Sequence, residues 1–380
     1  MTRTLPAGQR TVRRHNLALV LGAVASTGRA TRAQIAQATG LTRATVSALA
    51  DQLLVAGLLD ELDPDRGTPG RPGSPLQLSP GGPGGLGVEV NVDYLAACVV
   101  GLDGTVRAQH VAAFDARTAE PGLTLRRAAR LADQARAEAG IPVSGAGLAL
   151  PGLVDRAGVL RRVPNLPQWG GFAAAETLGV LLGLGVSAGN EANLAATAET
   201  GELRDFVHVS GEVGVGGGVV RDGRLYEGVR GFAGELGHVV VDPAGPACTC
   251  GGTGCLEQFA GLDALLRDAR CADLDELADR AGEAHVAATL AAAGKALGVA
   301  LAAAVNLLDV RDIVLGGAYA RLAPWLVEPL QAELRRRVLS RDVEATRVHV
   351  SELGPYAAVR GAAGSVVARL LAAPDAVSWS

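Results

Sequence analysis

Three of the five cysteines in this chain of 380 residues lie within eight positions of one another, in the segment Cys248-Thr-Cys250-Gly-Gly-Thr-Gly-Cys255. His238 stands ten positions before the first of them. Thiol and imidazole groups at such short spacing are typical of metal sites. Whether a metal bound here would take part in a reaction, hold a shape or do neither depends on the residues that surround it.

Composition indicates a folded protein outside the membrane. Hydrophobic residues make up 48% of the chain, and 380 residues are enough for two or three domains. No run of eighteen apolar residues is free of charges or turn formers, and the N-terminus is too polar for a secretory signal. Because the cysteines are few and clustered, we expect a reduced, cytoplasmic setting without a disulfide scaffold.

Charge is divided unevenly along the chain. The first 50 residues contain seven arginines and no acidic residue, whereas the net charge of the whole chain is −4, so the remaining residues sum to −11. A basic head on an acidic body favours an anionic partner for the head. A solvated arm without a partner is the alternative.

The basic head has the pattern of a helix-turn-helix. Apolar periodicity and capping residues predict three helices, at residues 16–28, 31–40 and 42–57, with a glycine after each. Two short helices joined by a glycine-containing turn are the helix-turn-helix pattern. Residues 63–79 follow as two short strand-like pieces around a tip rich in Pro and Gly, which suits a winged variant. A plain three-helix bundle could share this periodicity.

The third helix of such a motif enters the major groove of DNA with its first turn facing the base edges. Its exposed side chains carry donors that suit bases and phosphates. Arginines of the wing would reach the DNA backbone or the minor groove. The candidate DNA contacts are Arg32, Thr42, Arg43, Thr45, Ser47, Arg66 and Arg71.

The body alternates strand and helix patterns. Residues 86–112 predict two strands joined by an Asp-Gly turn, residues 122–139 a long helix, and residues 145–155 a buried strand that runs into a loop. Strand-like segments with glycine clusters recur at 207–228 and 312–320. This alternation predicts α/β architecture. The glycine clusters suit the close approach of a phosphate, but tight turns explain them equally well.

Six short motifs occur in order along the body and together resemble the ROK family (repressors, open reading frames and sugar kinases). The resemblance covers roughly residues 85–370, and the Glu-x-Gly-His motif with the three cysteines is its most specific part. With the winged head, the whole chain is similar to the repressor branch, whose members respond to sugars such as xylose or N-acetylglucosamine. The motifs are Pro151-Gly-Leu-Val-Asp155, Pro164-Asn165-Leu166, Asn190-Glu191-Ala192-Asn193, Gly214-Val-Gly-Gly-Gly218, Glu235-Leu-Gly-His238 and the cysteine segment that ends in Leu256-Glu257.

The resemblance implies an α/β fold of the actin-like (ribonuclease-H-like) type in two lobes, preceded by an all-α, winged helix-turn-helix DNA-binding domain. We expect the helix-turn-helix domain at 1–62, a wing and Pro/Gly-rich linker at 63–85, the first lobe at 86–187 and the second lobe, with the metal motif, at 188–380. The last helix is expected to return to the first lobe.

The resemblance also implies a structural zinc, bound in the family by a His and three Cys that here match His238, Cys248, Cys250 and Cys255. The physical chemistry agrees, because one imidazole and three thiolates close a tetrahedral shell and leave no open position for a water. Such a metal holds a shape and activates no nucleophile. Three cysteines brought together by chance, without a metal, are the alternative.

A sugar site follows from the same resemblance. Carboxylates and amides suit a polyol, because each can pair with two adjacent hydroxyls. His238 would serve twice, with one ring nitrogen on zinc and the other on a hydroxyl, so that the zinc orients a residue that contacts the sugar. Plain surface carboxylates are the alternative for Glu235 and Glu257. The implied sugar contacts are Asn165, Asn190, Glu191, Glu235, His238 and Glu257.

Two positions differ from what a kinase of the family needs. The first is an Asp-x-Gly-Gly-Thr loop for the ATP phosphates, where this chain has Glu89-Val-Asn-Val-Asp93, with both glycines replaced and an added negative charge. The second is an aspartate general base, which is replaced by Glu191, whose longer side chain shifts the carboxylate. Together these changes argue against phosphoryl transfer, and we expect no enzyme activity. The surviving glycine loops could retain some affinity for a nucleotide.

The sequence therefore predicts a cytoplasmic, sugar-responsive transcriptional repressor. Its head would bind operator DNA as a homodimer or a dimer of dimers, since one small head buries too little DNA for a specific site. A sugar in the cleft would change the relation of the two lobes and so of the paired heads. The alternatives are an ATP-dependent sugar kinase with an accessory DNA-binding head, and a regulator whose effector is a partner protein.

Overall fold

The computed structural model describes residues 8–63 and 74–374. Within these ranges a winged head is followed by two lobes, each built on a five-stranded sheet. The expected wing contacts Arg66 and Arg71 lie outside the described residues, so the structure says nothing of them.

The head consists of three helices and a small antiparallel sheet in the order β1-β3-β2. Thr31 caps the second helix in a reciprocal capping box with Gln34, and Thr42 caps the third by accepting a hydrogen bond from the Thr45 N–H. The first helix begins earlier than the sequence predicts. The prediction missed its first turns because they are polar and lack the apolar stripe. The elements are α1 (Gln9–Thr27), β1 (Arg29–Thr31), α2 (Arg32–Thr39), α3 (Arg43–Val55), β2 (Leu59–Glu61) and β3 (Pro75–Leu78).

The first lobe is a mixed sheet in the order β10-β7-β4-β5-β6, in which β10, β7 and β4 run parallel. Residues 86–112 form three strands, not the two that the sequence predicts. The turn at Asn91-Val92-Asp93 has no glycine to mark it, and the strand that follows is almost wholly buried and therefore does not alternate. The elements are β4 (Gly84–Val90), β5 (Tyr94–Val100), β6 (Val106–Ala113), α4 (Pro121–Ala139), β7 (Val143–Leu150), β8 (Leu153–Val154), β9 (Leu160–Arg162), α5 (Ala174–Leu182) and β10 (Val186–Asn190).

The second lobe repeats the plan with a sheet in the order β13-β12-β11-β14-β15. Strands β11, β14 and β15 run parallel, and β12 and β13 add antiparallel pairs. Two similar sheets in one chain are the two-lobed, actin-like architecture that the sequence predicts. The elements are α6 (Glu191–Ala198), β11 (Phe206–Gly211), β12 (Val215–Arg221), β13 (Arg224–Leu225), α7 (Glu257–Ala260), α8 (Leu262–Ala269), α9 (Leu274–Asp279), α10 (Ala284–Leu308), β14 (Asp312–Gly317), α11 (Ala318–Arg337), β15 (Arg347–Val350) and α12 (Ala357–Ala372).

Helix α12 connects all three parts of the molecule. It packs on the first sheet through glycines that bring the backbones together, and Gly85, Gly87 and Gly147 each lie against a carbonyl of the helix. A second face contacts α6, and a third belongs to the same hydrophobic cluster as the helices of the head. The head and the first lobe therefore share one core.

Helix α10 is long and apolar enough to cross a membrane by length and composition alone. In the structure it packs against α11 in the core of the second lobe, and Gly294 and Gly298 allow close contact with Pro329 and Glu333. Its apolar residues are thus explained by this core.

Candidate functional site

A cleft of about 330 Å³ lies between the lobes, a size typical of small-molecule sites. The first lobe contributes the residues that follow β7 and β9, and the second lobe contributes the turn after β11 and the short helical turn at Leu236–His238. The N-terminus of α6 lies between them. The sugar contacts expected from the sequence all line this cleft, namely Asn165, Asn190, Glu191, Glu235, His238 and Glu257.

Asn190 holds the junction of the two lobes. Its Oδ1 accepts a hydrogen bond from the Asn193 N–H (3.0 Å) and so caps α6, while its Nδ2 donates to Gly152 O (3.1 Å) and to Glu191 Oε2 (2.9 Å). The side chain thereby fixes the carboxylate of Glu191 at the carboxyl end of β10. Ligands of open α/β sheets bind at such strand ends.

The expected metal ligands come together in the glycine-rich loop after the helical turn. The ligand atoms of His238, Cys248, Cys250 and Cys255 all lie within 4.8 Å of one another. The Cys250 and Cys255 sulfurs are 3.7 Å apart, close to the roughly 3.8 Å edge of a tetrahedron with zinc–sulfur bonds of about 2.3 Å. The Gly252 N–H donates to Cys250 Sγ and lowers the pKa of that thiol. These residues fit a structural zinc.

His238 presents its two ring nitrogens to different neighbours. Nδ1 lies 3.8 Å from Cys248 Sγ, whereas Nε2 faces Glu235 Oε2 at 4.0 Å. A metal on Nδ1 would fix the ring with Nε2 turned to the Glu235 side, where the cleft lies. The geometry therefore allows the double role expected of this histidine.

Carboxyl groups form the floor of the cleft. Burial, and then repulsion from Glu89 and Asp93, raises the pKa of Glu212 to about 8. Burial likewise raises the pKa of Glu89 to about 7, against hydrogen bonds from Tyr94 and Asn91, and raises the pKa of Glu191 well above its usual range. The floor therefore holds protonated or mutually repelling acids at neutral pH.

Three polar residues of the cleft were missed by the sequence analysis, namely Asn91, Arg162 and Glu212. Asn91 closes its own turn, because its Oδ1 accepts from the Val92 N–H (2.6 Å). Arg162 donates to Cys250 O (2.7 Å) and thus joins the first lobe to the cysteine loop. Only Glu212 had a usable signal, an acidic residue at a strand end directly before a glycine run.

Two glutamates lie against the glycine loops that survive from the kinase pattern. A Cβ at Gly214 would overlap the carboxylate of Glu257, and a Cβ at Gly317 would lie 2.6 Å from Glu212 Oε1. Carboxylates in these positions oppose the approach of a phosphate.

The DNA-binding candidates in the head are not equivalent. Arg43 and Thr42 are exposed, and Thr45 and Ser47 are half-buried on the same helix. Arg32 instead pairs with Asp51 (3.1 Å) and Glu61 (2.5 Å), which ties α2 to α3 and β2. This favours a structural part for Arg32.

Comparison with known proteins covers both parts of the chain. Residues 85–368 match the ROK family, and residues 18–67 match the MarR family. The xylose repressor of Bacillus subtilis (strain 168) is 26% identical over 378 residues, with 96% of this chain and 98% of the repressor covered. A solved ROK family transcriptional regulator, described as a homologue of the E. coli MLC protein, has a TM-score of 0.80 at 23% identity and covers 95% of this chain and 97% of its own, which shows the shared fold.

Two kinases match about three quarters of the chain. The N-acetylmannosamine kinase of Salmonella typhi is 33% identical over 303 residues and covers 76% of this chain and 98% of its own length. The ROK hexokinase of Thermus thermophilus has a TM-score of 0.62 at 32% identity and covers 76% of this chain and 97% of its own. The xylose repressor of Bacillus subtilis and the transcriptional regulator cover 96% and 95% of this chain, so their match includes the head.

Proposed function

The chain belongs to the ROK family, and we propose from this premise that it is a transcriptional repressor whose DNA binding is controlled by a sugar in the cleft between its lobes. The observation that carries the proposal is the position of α12. One face of this helix packs on α6, which begins at the cleft with Glu191, and another face shares a core with the helices of the head. A change at the cleft thus has a packed route to the DNA-binding domain.

The sugar would act by favouring one arrangement of the lobes. Two arginines of the β8–β9 hairpin already join the lobes, since Arg162 donates to Cys250 O and Arg156 donates to Gly228 O (2.6 Å). A polyol bridging Asn165 and the Glu235–His238 turn would add hydrogen bonds across the same gap. The free-energy difference between open and closed states would then depend on the sugar.

Zinc, when bound, would hold the cysteine loop in place and take no part in a reaction. His238 and the three cysteines would hold it and fix the loop that carries the Nε2 atom of His238 to the sugar. Sugar affinity would therefore depend on the metal, although the metal would not contact the sugar.

A sugar kinase is the second candidate, because the N-acetylmannosamine kinase of Salmonella typhi is 33% identical over 303 residues. The local residues argue against it. Asn91 and Val92 stand where the phosphate loop needs glycines, and the carboxylates of Glu212 and Glu257 lie against Gly317 and Gly214. A nucleotide would have to approach through these acidic groups.

The repressor would work in the cytoplasm as a homodimer or a dimer of dimers on a two-fold operator. Arg43, Thr45 and Ser47 are the contacts we assign to base edges and phosphates. A partner protein in place of the sugar is a further alternative, which the same experiment addresses.

The test has two parts. DNA sites are first selected from random sequence with the full chain, and the affinity for the selected site is then measured by fluorescence anisotropy with xylose, glucose, N-acetylglucosamine and N-acetylmannosamine. We expect one sugar to weaken DNA binding at least tenfold, with no ADP formed in a coupled assay with ATP. Turnover above background would support the kinase, and a selected site insensitive to every sugar would favour a protein effector.

A further inference from the structure

The floor of the cleft separates two spaces. Glu191 and Glu212 line the cleft and also a small adjoining space of about 10 Å³, which Glu89 and His208 line as well. A space of this size holds about one water-sized group. The three carboxyl groups come from three elements, namely β4, the first turn of α6 and the turn after β11, and therefore converge only in the folded chain.

None of these carboxyl groups pairs with a basic side chain among the described residues, and His208, which lines the same small space, bonds none of them. The charges that raise the pKa of Glu212 beyond the effect of burial belong to Glu89 and Asp93, both acidic. Glu89 is 1% exposed, yet its Oε2 has no hydrogen-bond partner there, and both ring nitrogens of the fully buried His208 are also unpaired. Buried polar groups in native proteins are normally paired, so the arrangement indicates a missing positive or hydrogen-bonding group.

We propose that Glu191 and Glu212, backed by Glu89, form a cation subsite at the floor of the cleft, and that its occupant is the ammonium group of an amino sugar. This rests on the proposed function, because it takes the sugar to bind in the cleft. An ammonium group offers three N–H donors and a positive charge, and the oxygens of Glu191 and Glu212 are charge-assisted acceptors for it.

An inorganic cation would satisfy the same charge, but the geometry favours the ammonium group. A divalent ion needs oxygens at about 2.0–2.6 Å from itself, and its ligand atoms must therefore converge closely. Among the described residues, only the His238 cluster brings three or more such atoms within 4.8 Å of one another. Glu89, Glu191 and Glu212 form no such group there, and an ammonium group needs less convergence because its N–H groups reach acceptors at about 2.7–2.9 Å from the nitrogen.

The subsite also predicts which sugar derivatives are excluded. Glu191 and Glu212 line the floor of the cleft and would meet the sugar hydroxyl that lies deepest in it. A phosphate group on that hydroxyl would bring negative charge to Glu191, Glu212 and Glu89, which form no ion pair with it when protonated and repel it when ionised. The affinity for the sugar should therefore fall in the order ammonium, hydroxyl, phosphate for the substituent at this position.

The experiment compares one sugar in three charge states. Isothermal titration of the zinc-loaded full chain at pH 7.5 uses glucose, 6-amino-6-deoxyglucose and glucose 6-phosphate. We expect the amino derivative to bind at least tenfold more tightly than glucose, and the phosphate at least tenfold more weakly. Glu212→Gln should reduce the amine preference to less than threefold. Glu202→Gln, a change at an exposed carboxyl outside the cleft, should preserve it.

Three results would overturn the proposal. An amine preference below threefold in the wild type, or one unchanged in both Glu212→Gln and Glu191→Gln, would show that these carboxylates bind no ammonium group. Stabilisation by MnCl₂ alone that is lost in Glu212→Gln would assign the subsite to an inorganic cation. If neither these ligands nor xylose, N-acetylglucosamine and N-acetylmannosamine bind, the proposed function itself fails, whereas binding of a neutral sugar without amine preference defeats the subsite alone.

Discussion

Gly361 of α12 lies directly against the carbonyl group of Leu194 in α6, so closely that a methyl group in place of its hydrogen would overlap that oxygen. Helix α6 starts at the cleft, and α12 continues from this contact into the core that it shares with the head. The Gly361–Leu194 contact is thus the place where movement of the cleft would reach the DNA-binding domain.

Gly361→Ala should weaken the coupling between sugar and DNA. The added methyl group must push α6 and α12 apart, and overpacking of this kind costs about 1–3 kcal/mol of stability. We expect DNA binding to become less sensitive to the sugar, measured as the ratio of DNA affinities with and without it. Gly364→Ala is the matched control, because no atom lies within 4 Å of a Cβ there and alanine favours the helix. An equal loss of sugar response in both variants would refute the assigned route.

Removal of the zinc ligands should lower sugar affinity. Cys255→Ser is expected to abolish zinc binding and to weaken sugar binding about tenfold or more, since a displaced orienting group typically has effects of this size. Zinc content by atomic emission and sugar affinity by titration check the two effects separately. Cys271→Ser, outside the cluster, should keep both. Normal sugar affinity in zinc-free protein would show that the metal does not affect sugar binding in the cleft.

Asp312 should stabilise the second lobe at neutral pH but not in acid. Burial alone would raise the pKa of this carboxyl, but hydrogen bonds from Arg347 and His349, all at 2.7 Å, lower it to about 2. The unfolded value is about 3.9, so the stabilisation is complete above about pH 4 and disappears as the pH falls towards 2. Asp312→Asn should cost on the order of 2 kcal/mol at pH 7 in urea unfolding.

The control for the Asp312→Asn variant is Asp342→Asn. Asp342 is an exposed partner of Arg341, and exposed ion pairs contribute little. Its removal should leave the unfolding midpoint unchanged. A loss in Asp312→Asn that is as large at pH 2.5 as at pH 7 would rule out the ion pairs as the cause.

The contribution of Glu212 to folding stability should depend on pH in the opposite sense to that of Asp312. Its folded pKa of about 8 exceeds the unfolded value of about 4.3, so the folded chain holds a proton that the unfolded chain releases. The contribution is therefore most favourable below about pH 4 and is lost as the pH rises towards 8. Glu212→Gln should raise the melting temperature at pH 8 by several degrees and have little effect at pH 4.5. A pH-independent difference would indicate that packing, and not ionisation, is responsible.

Variants of Arg43 and Arg32 should have different effects, the first on DNA binding and the second on the stability of the head. Arg43→Ala is expected to weaken DNA binding without changing the melting temperature, and to reduce the slope of log affinity against log salt by about 1 if it contacts a phosphate. Arg32→Ala should instead destabilise the head, because Asp51 and Glu61 lose their common partner. Unchanged DNA affinity in Arg43→Ala would remove this residue from the interface.

Local patterns were enough to predict the architecture and to choose residues that the structure places on one cleft. Some features can be recognised in the sequence because each depends on neighbours within a few positions. Examples are the helix caps Thr31 and Thr42 and the Glu-x-Gly-His motif. The acidic floor is different. Glu89 and Glu212 are far apart in sequence, and their pKa values are raised chiefly by burial in the folded sheets and then by nearby acidic groups, among them Asp93.

The core that the head shares with the first lobe could not be predicted from the sequence. The Pro- and Gly-rich composition of residues 63–85 predicts a wing and a linker, and in this segment the structure has β3, the central strand of the head's sheet, and the start of β4 at Gly84. Leu21 of the head and Val367 of α12 belong to one cluster, although the chain separates them by most of its length. Composition does not reveal such a contact.

The shared core limits how this protein could be re-engineered as a biosensor. A head transplanted from another regulator would expose the apolar residues of β5 and α12, unless its own helices matched Cys98, Val100 and Val367. Successful exchanges of DNA specificity should therefore keep the buried faces of α1 to α3 and replace only the outward residues of α3.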